Sequence, residues 1–134
     1  MYSALLSDVL NKRFIYKLTF FMCMKIDKEN LIKINKKLNG NITREGSLEF
    51  AISMQKNKKI GEYKKLSYLW RAILVDHPFT DGNKRSAVLV AIEFANQNKK
   101  GYDEEKLVKI AIKISKENII NISKIERKLK NAIK

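Results

Sequence analysis

Cysteine, histidine, proline and tryptophan each occur once in this 134-residue chain, as Cys23, His77, Pro78 and Trp70. One cysteine excludes an internal disulfide framework and a zinc site built on cysteines. One histidine excludes a multi-histidine metal site, so any imidazole chemistry belongs to His77. Proline is nearly absent, and the only one follows that histidine directly. Long apolar runs are missing too. The most apolar stretch, residues 14–26, is too short to span a bilayer and is interrupted by Lys17 and Lys25. No small-residue cleavage site follows it, which argues against a secretory signal. These absences predict a cytoplasmic protein without a membrane partner. The length predicts one domain, perhaps with a short extension, because two cores would not fit.

Charge of one sign is what the chain has in excess. Basic residues number 28 against 14 acidic, a formal net charge of +14. Such a balance favours polyanionic partners in general. However, only five of the 28 are arginine, and the chain is also rich in Ile and Asn. That pattern reads as a bias applied everywhere, with the lysines on solvated faces. The basic runs Lys36-Lys37, Lys58-Lys59, Lys64-Lys65 and Lys99-Lys100 carry no interleaved aromatic residues. There is no stacking platform for single strands and no nucleic-acid motif, so nucleic acid is not the expected partner.

Helical periodicity dominates. Leu31, Ile34 and Leu38 mark one helix, with Asp27 as a possible N-cap and Gly40 at its end. Residues 47–54 form a second, short one, with Leu48, Ala51 and Ile52 on one face. Residues 56–65 are polar, contain Gly61 and read as an exposed loop. Leu66, Leu69, Trp70, Ile73 and Leu74 follow the i, i+3, i+4 pattern of the clearest amphipathic helix in the chain. It stops at Asp76-His77-Pro78, because proline disfavours α geometry in the residue before it. Residues 85–95 are apolar on nearly every side, which predicts a buried central helix. Asp103 caps the next helix, with Leu107, Ile110, Ala111 and Ile114 facing inward. Asn121 opens a last one carrying Ile122, Ile125, Leu129 and Ile133. Near the start, Leu5, Leu6, Val9 and Leu10 suggest a short helix, and residues 14–24 a strand or an apolar arm. Met22 and Met24 leave open a later start of translation.

The chemistry concentrates between the Trp70 helix and the central helix. His77 follows the first directly, residues 81–84 form a turn, and Arg85 begins the second. A turn feeding a helix N-terminus leaves backbone N–H groups unpaired, and with the helix dipole these make an anion site. Gly82 lets the backbone approach a ligand closely. Arg85 can grip a phosphate with two hydrogen bonds. Asp81 offers a hard oxygen ligand for Mg²⁺, which needs only one or two carboxylates beside substrate phosphates. Histidine is the side chain suited to general-base work near neutral pH. Together they suit transfer of a phosphate-containing group to a hydroxyl. Each residue alone has a plainer reading: a structural histidine, a turn, a salt-bridging arginine, a core phenylalanine. Their occurrence in nine consecutive residues is far more specific.

That run, HPFTDGNKR, resembles the motif of the Fic/Doc family, H-[PX]-F-x-[DE]-[GA]-N-[GK]-R, at every defining position. Upstream, residues 44–51 (REGSLEFA) look like the helix that opens the death-on-curing, or Doc, branch. The resemblance spans roughly residues 26–120. It implies an all-α, compact Fic-like bundle around the buried central helix, with a domain at 26–134 and an N-terminal extension at 1–25. It implies that His77 deprotonates a Ser, Thr or Tyr hydroxyl of a target protein. Asp81 would hold Mg²⁺, Gly82, Asn83 and Lys84 would form the anion hole, and Arg85 would bind phosphate of ATP. Phe79 would anchor the loop in the core. The loop at 56–65 would correspond to the flap that docks the target's backbone as an added strand.

Two departures divide the chemistries within the family. Members that transfer AMP resemble this chain except for a glycine at the position of Lys84 and a second arginine at that of Val88. A lysine fills space that glycine leaves to the phosphates, and valine removes a clamp. Both match Doc, which has alanine at the position of Gly82 and transfers the terminal phosphate of ATP to elongation factor Tu. The resemblance therefore implies Doc-like phosphorylation, with AMP transfer as the alternative and a non-catalytic interaction or nucleic-acid-binding module as a third. The inhibitory [ST]-x-x-x-E-[GN] helix of many family members is absent from the sequence. An inhibitor would then be a separate chain, as for a toxin with its antitoxin, and a translation factor is the expected kind of target.

Overall fold

Six helices are formed among residues 28–37 and 40–134, the residues that the computed structural model describes. They are α1 (Lys28–Lys36), α2 (Gly46–Met54), α3 (Glu62–Val75), α4 (Asn83–Gln97), α5 (Glu104–Glu117) and α6 (Ile122–Ala132). No strand forms among the described residues. Two isolated antiparallel bridges occur there, Ile42 with Phe79 and Tyr102 with Ile133. The fold is all-α, as the periodicity predicts. The predicted helix at residues 5–10, the segment at 14–24, the Asp27 cap and Leu38 lie outside the described residues, as does the proposed boundary at residue 25.

The apolar periodicities map onto buried faces. Leu66, Leu69, Trp70, Ile73 and Leu74 of α3 are all buried, and so is every residue of α4 from Ser86 to Ala95. A helix apolar on all sides must be covered on all sides, and α4 is packed against α1, α3 and α5. The sequence reading of α4 as the central helix therefore holds. A second hub appears beside it: α3 packs against α2, α4, α5 and α6. Its buried set also includes Ser67 and Ala72. Small residues beside the main stripe widen the arc over which neighbours can approach.

Helix boundaries follow local chemistry. Asp103 Oδ1 accepts from the Lys106 N–H (3.1 Å), and Asn121 Oδ1 from the Lys124 N–H (3.0 Å), so both predicted caps form. The predicted loop at 56–65 is shorter than its polarity implied. Its last four residues, Glu62 to Lys65, are the first turn of α3, preceded by Gly61 in an extended conformation as N-cap. Of the charged residues there, Glu62 is exposed and Lys64 and Lys65 are partly buried, all on a helix rather than in a loop. The remaining residues, 56–61, connect the two helices through turns, and the connection is closed by Gln55 Nε2 donating to the carbonyls of Ala51 and Lys65 (2.9 Å each). At the other end, the Tyr63 hydroxyl donates to the Ile133 carbonyl (2.9 Å), tying the end of α6 to α3. Between α1 and α2, Lys28 Nζ meets Glu45 (2.8 Å) and Glu49 (3.0 Å). The hydrogen bond to Glu45, then that to Glu49, raises the lysine's pKa above its ordinary value.

One carboxyl group interrupts the apolar run of α4. Glu93 is only 3% exposed, and Oε2 has no partner among the described residues. Burial raises its pKa, and the hydrogen bond from Gln97 Nε2 (3.0 Å) only partly opposes this. The folded carboxyl thus keeps a proton that the unfolded chain has lost above the ordinary value near 4.5. Stability from this group is present below that value and is lost as pH rises through the raised one. Glu93→Gln is therefore expected to raise the melting temperature by a few degrees at pH 7, with the gain shrinking towards pH 4. Equal melting curves across that range would show that burial does not penalise the carboxylate.

Candidate active site

The motif loop begins where α3 runs out. Asp76 ends the helix at φ −88°, and His77 then turns left-handed, at φ 48°. Pro78 accounts for the end of the helix, because its ring disfavours right-handed α geometry in the residue before it. His77 is exposed, and its imidazole makes no hydrogen bond among the described residues.

Beyond Pro78 the chain lies against residues 41–44. The Thr80 N–H donates to the Asn41 carbonyl (2.8 Å) and the Thr43 N–H to the Pro78 carbonyl (2.7 Å), on either side of the Ile42–Phe79 bridge. The Arg44 N–H also reaches the Pro78 carbonyl (3.2 Å), and the Asn41 N–H the Thr80 hydroxyl (3.1 Å). This support comes from some 35 to 39 residues away in sequence. Nothing in the composition of residues 41–44 announces it, and sequence reasoning assigned residues 41–43 no role.

Phe79 drives its ring into the core and is 3% exposed. Asn83 clamps the same residue's backbone: Oδ1 accepts from the Phe79 N–H (3.1 Å) and Nδ2 donates to the Phe79 carbonyl (2.9 Å). The Asn83 side chain is thus a brace for the loop, and what it offers a ligand is its backbone N–H. Gly82 is buried and left-handed (φ 75°, ψ 17°) as the N-cap of α4. An L-side chain rarely adopts that conformation, so glycine is required there by geometry. The Ser86 N–H makes the first helical bond, to the Gly82 carbonyl (2.8 Å). Helix geometry then leaves N–H groups of the first turn of α4, those of Asn83 and Arg85 among them, without intrahelical acceptors.

Those groups open into a cleft of about 210 Å³, lined by His77, Thr80, Asp81, Gly82, Asn83, Lys84 and Arg85. Every residue singled out from the sequence lines it except Phe79, which lies in the core. Thr80 lines it too, although sequence reasoning gave it no role. Arg85 is half-buried, and its Nε is buried without a hydrogen-bond partner among the described residues. Its Nη2 is 3.7 Å from Asp81 Oδ2, while Asp81 Oδ1 accepts from the Gly82 N–H (2.7 Å). Asp81 is otherwise exposed at the cleft. The sum is one carboxylate against two cationic side chains and a positive helix end, which favours an anion. The volume falls below the roughly 300–1,000 Å³ of whole-ligand pockets. It matches the size of a small anionic group such as a phosphate rather than a whole nucleotide.

A resident metal cage is not built here: no group of three or more metal-ligating His, Cys, Asp or Glu residues occurs among the described residues. A single exposed carboxylate beside an anion cleft does fit Mg²⁺, which keeps most of its water and shares the rest of its shell with phosphates.

Fold and cleft together define a helical domain with a polar cleft at a helix N-terminus, lined by a histidine, a carboxylate and two cationic side chains. The model of the Fic/DOC family matches residues 25–95, just over half of the chain, and the chain belongs to that family. Its members are typically nucleotidyl or phosphoryl transferases that use ATP and Mg²⁺. No curated protein and no solved structure matches the chain. No helix among the described residues is long and apolar enough to cross a membrane.

Proposed function

We propose that this chain transfers the terminal phosphate of ATP to a hydroxyl group of a target protein, in the manner of the Doc branch. The observation that carries the choice is the pair Lys84 and Val88. Lys84 lines the cleft, so a long cationic side chain stands where AMP transfer would need open space. Val88 is 2% exposed, in the core one turn into α4. That position supplies no second cation to hold a further phosphate in the cleft.

In this reading His77 takes the proton of the attacking hydroxyl, and the exposed, unbonded imidazole leaves a nitrogen open to it. The hydroxyl oxygen bonds to the γ phosphorus, the bond from that phosphorus to the bridging oxygen breaks, and ADP leaves. The N–H groups of Asn83 and Lys84, that of Gly82 once Asp81 Oδ1 releases it, and the Arg85 guanidinium hold the phosphate oxygens as charge shifts among them. Asp81 would hold Mg²⁺, which would neutralise phosphate charge when bound. A translation factor in the cytoplasm is the target to try first, and an inhibitor supplied as a separate antitoxin chain completes the reading.

Labelling decides between the chemistries. Incubation with a lysate and ATP labelled on the α or the γ phosphate is expected to label a protein from the γ position only. Label arriving only from the α position would sink the kinase reading in favour of AMP transfer. Label from neither, with partners still bound by His77→Ala, would favour an interaction module. Lys84→Gly is expected to admit some α label; no change would remove the argument from space.

A further inference from the structure

We infer that Asn35, on α1, is a positioning residue for the anion cleft: it fixes the peptide between Asp81 and Gly82 so that the Gly82 N–H faces the phosphate. The inference rests on the phosphate-binding reading of that cleft.

Asn35 is fully buried, 46 residues before Asp81. Its Nδ2 donates to the Asp81 carbonyl (2.8 Å) and to the Ser86 hydroxyl (3.0 Å). One amide thus ties the motif loop to the first turn of α4. In a trans peptide the carbonyl and the following N–H point in opposite directions, and no cis peptide occurs among the described residues. Holding the Asp81 carbonyl towards the interior therefore turns the Gly82 N–H the other way. That N–H meets Asp81 Oδ1 at 2.7 Å, on the side where both residues line the cleft.

Glycine makes such an anchor necessary. Gly82 can take either sign of φ at little cost, so the 81–82 peptide is free to flip unless something outside the loop selects one face. The Asn35 amide is the group in contact with the carbonyl. Space for it is secured by a second glycine. A Cβ at Gly40 would collide with the Asn35 amide oxygen and come within 2.5 Å of the Asp81 carbonyl oxygen. The Gly40 N–H also donates to the Asn35 backbone carbonyl (3.1 Å). Gly40 thus serves close packing around Asn35 rather than a left-handed helix end.

The test uses the full chain, ¹⁵N-labelled, as wild type, Asn35→Leu and Asn35→Ala. Both variants remove the two donors without adding charge; Asn35→Leu keeps the side-chain volume and Asn35→Ala avoids a clash, so each covers a different cause of misfolding. Two quantities are read: the Gly82 amide signal with its φ-dependent coupling in the ligand-free protein, and the dissociation constant for Mg²⁺·ATP. In the variants the Gly82 signal is expected to move or double, with α5 and α6 signals unchanged, and Mg²⁺·ATP to bind about 10–100-fold more weakly. Ser86→Ala removes only the second partner and is expected to keep the wild-type values. A folded variant with wild-type Gly82 coupling and affinity overturns the role of Asn35, as does loss of both in Ser86→Ala. If wild type itself binds no Mg²⁺·ATP, the transferase reading fails, and the Gly82 signal still decides whether Asn35 holds the peptide.

Discussion

Replacing His77 with alanine is expected to lower phosphate transfer by about 10²–10⁴-fold, the usual contribution of a general base, while the melting temperature barely moves. The second half of that expectation follows from position. His77 is exposed, makes no hydrogen bond among the described residues and packs no core. Its backbone sharpens the test. At φ 48° the residue sits in the left-handed region, which costs an L-residue roughly 1–2 kcal/mol. Glycine is free of that cost but gives up about 0.5–1 kcal/mol in backbone entropy. His77→Gly is therefore expected to gain between about 0 and about 1.5 kcal/mol in denaturant unfolding and still lose transfer as alanine does. Strain kept at a residue that stabilises nothing is what a functional position looks like. A His77→Gly protein that transfers phosphate at the wild-type rate would end the assignment of His77 as the base.

The largest stability effect is expected at Phe79. Its ring is 3% exposed, and truncating a buried phenylalanine to alanine costs about 3–5 kcal/mol. Net stabilities are only about 5–15 kcal/mol, so Phe79→Ala is expected to leave a chain partly unfolded at 37 °C. The consequence reaches the cleft because the loop hangs on that residue. Its N–H and carbonyl are both held by Asn83, and it pairs across the bridge with Ile42. Phe79→Leu keeps most of the apolar volume and is expected to cost roughly 1.5 kcal/mol or less and to keep transfer. Denaturant midpoints of the three proteins check both figures. A cost under about 1 kcal/mol for alanine would mean that the ring is not the anchor.

Electrostatic preferences of the cleft rest on a short segment, and so does its legibility. His77, Asp81, Gly82, Lys84 and Arg85 are close in sequence because a turn into one helix is a local structure. Residues four apart on a helix share a face, and the N–H groups at a helix start are left over in any helix. Such features can be read without a fold. The buried faces of α3 and α4 were legible for a similar reason, since a 3.6-residue period records which side meets a core. Polarity was a poorer guide. It made residues 62–65 look like loop, although a solvent-facing first turn of a helix is polar too.

Asn35, Gly40 and residues 41–44 could not be found that way. Their roles are contacts across some 35 to 50 residues of sequence, made by an amide and by backbone groups that every residue carries. An asparagine near a helix end reads as a capping or solvated side chain, and only packing reveals that this one is buried. The sequence by itself determined most of the helices among the described residues, their buried faces and the nine-residue run that supplies the candidate cleft, because periodicity, capping and helix-end electrostatics act over one or two turns. Which way the Asp81–Gly82 peptide faces, what braces the loop and which residues share its cleft were decided by tertiary structure, because hydrogen bonds between distant segments exist only once α1, α3 and α4 have packed.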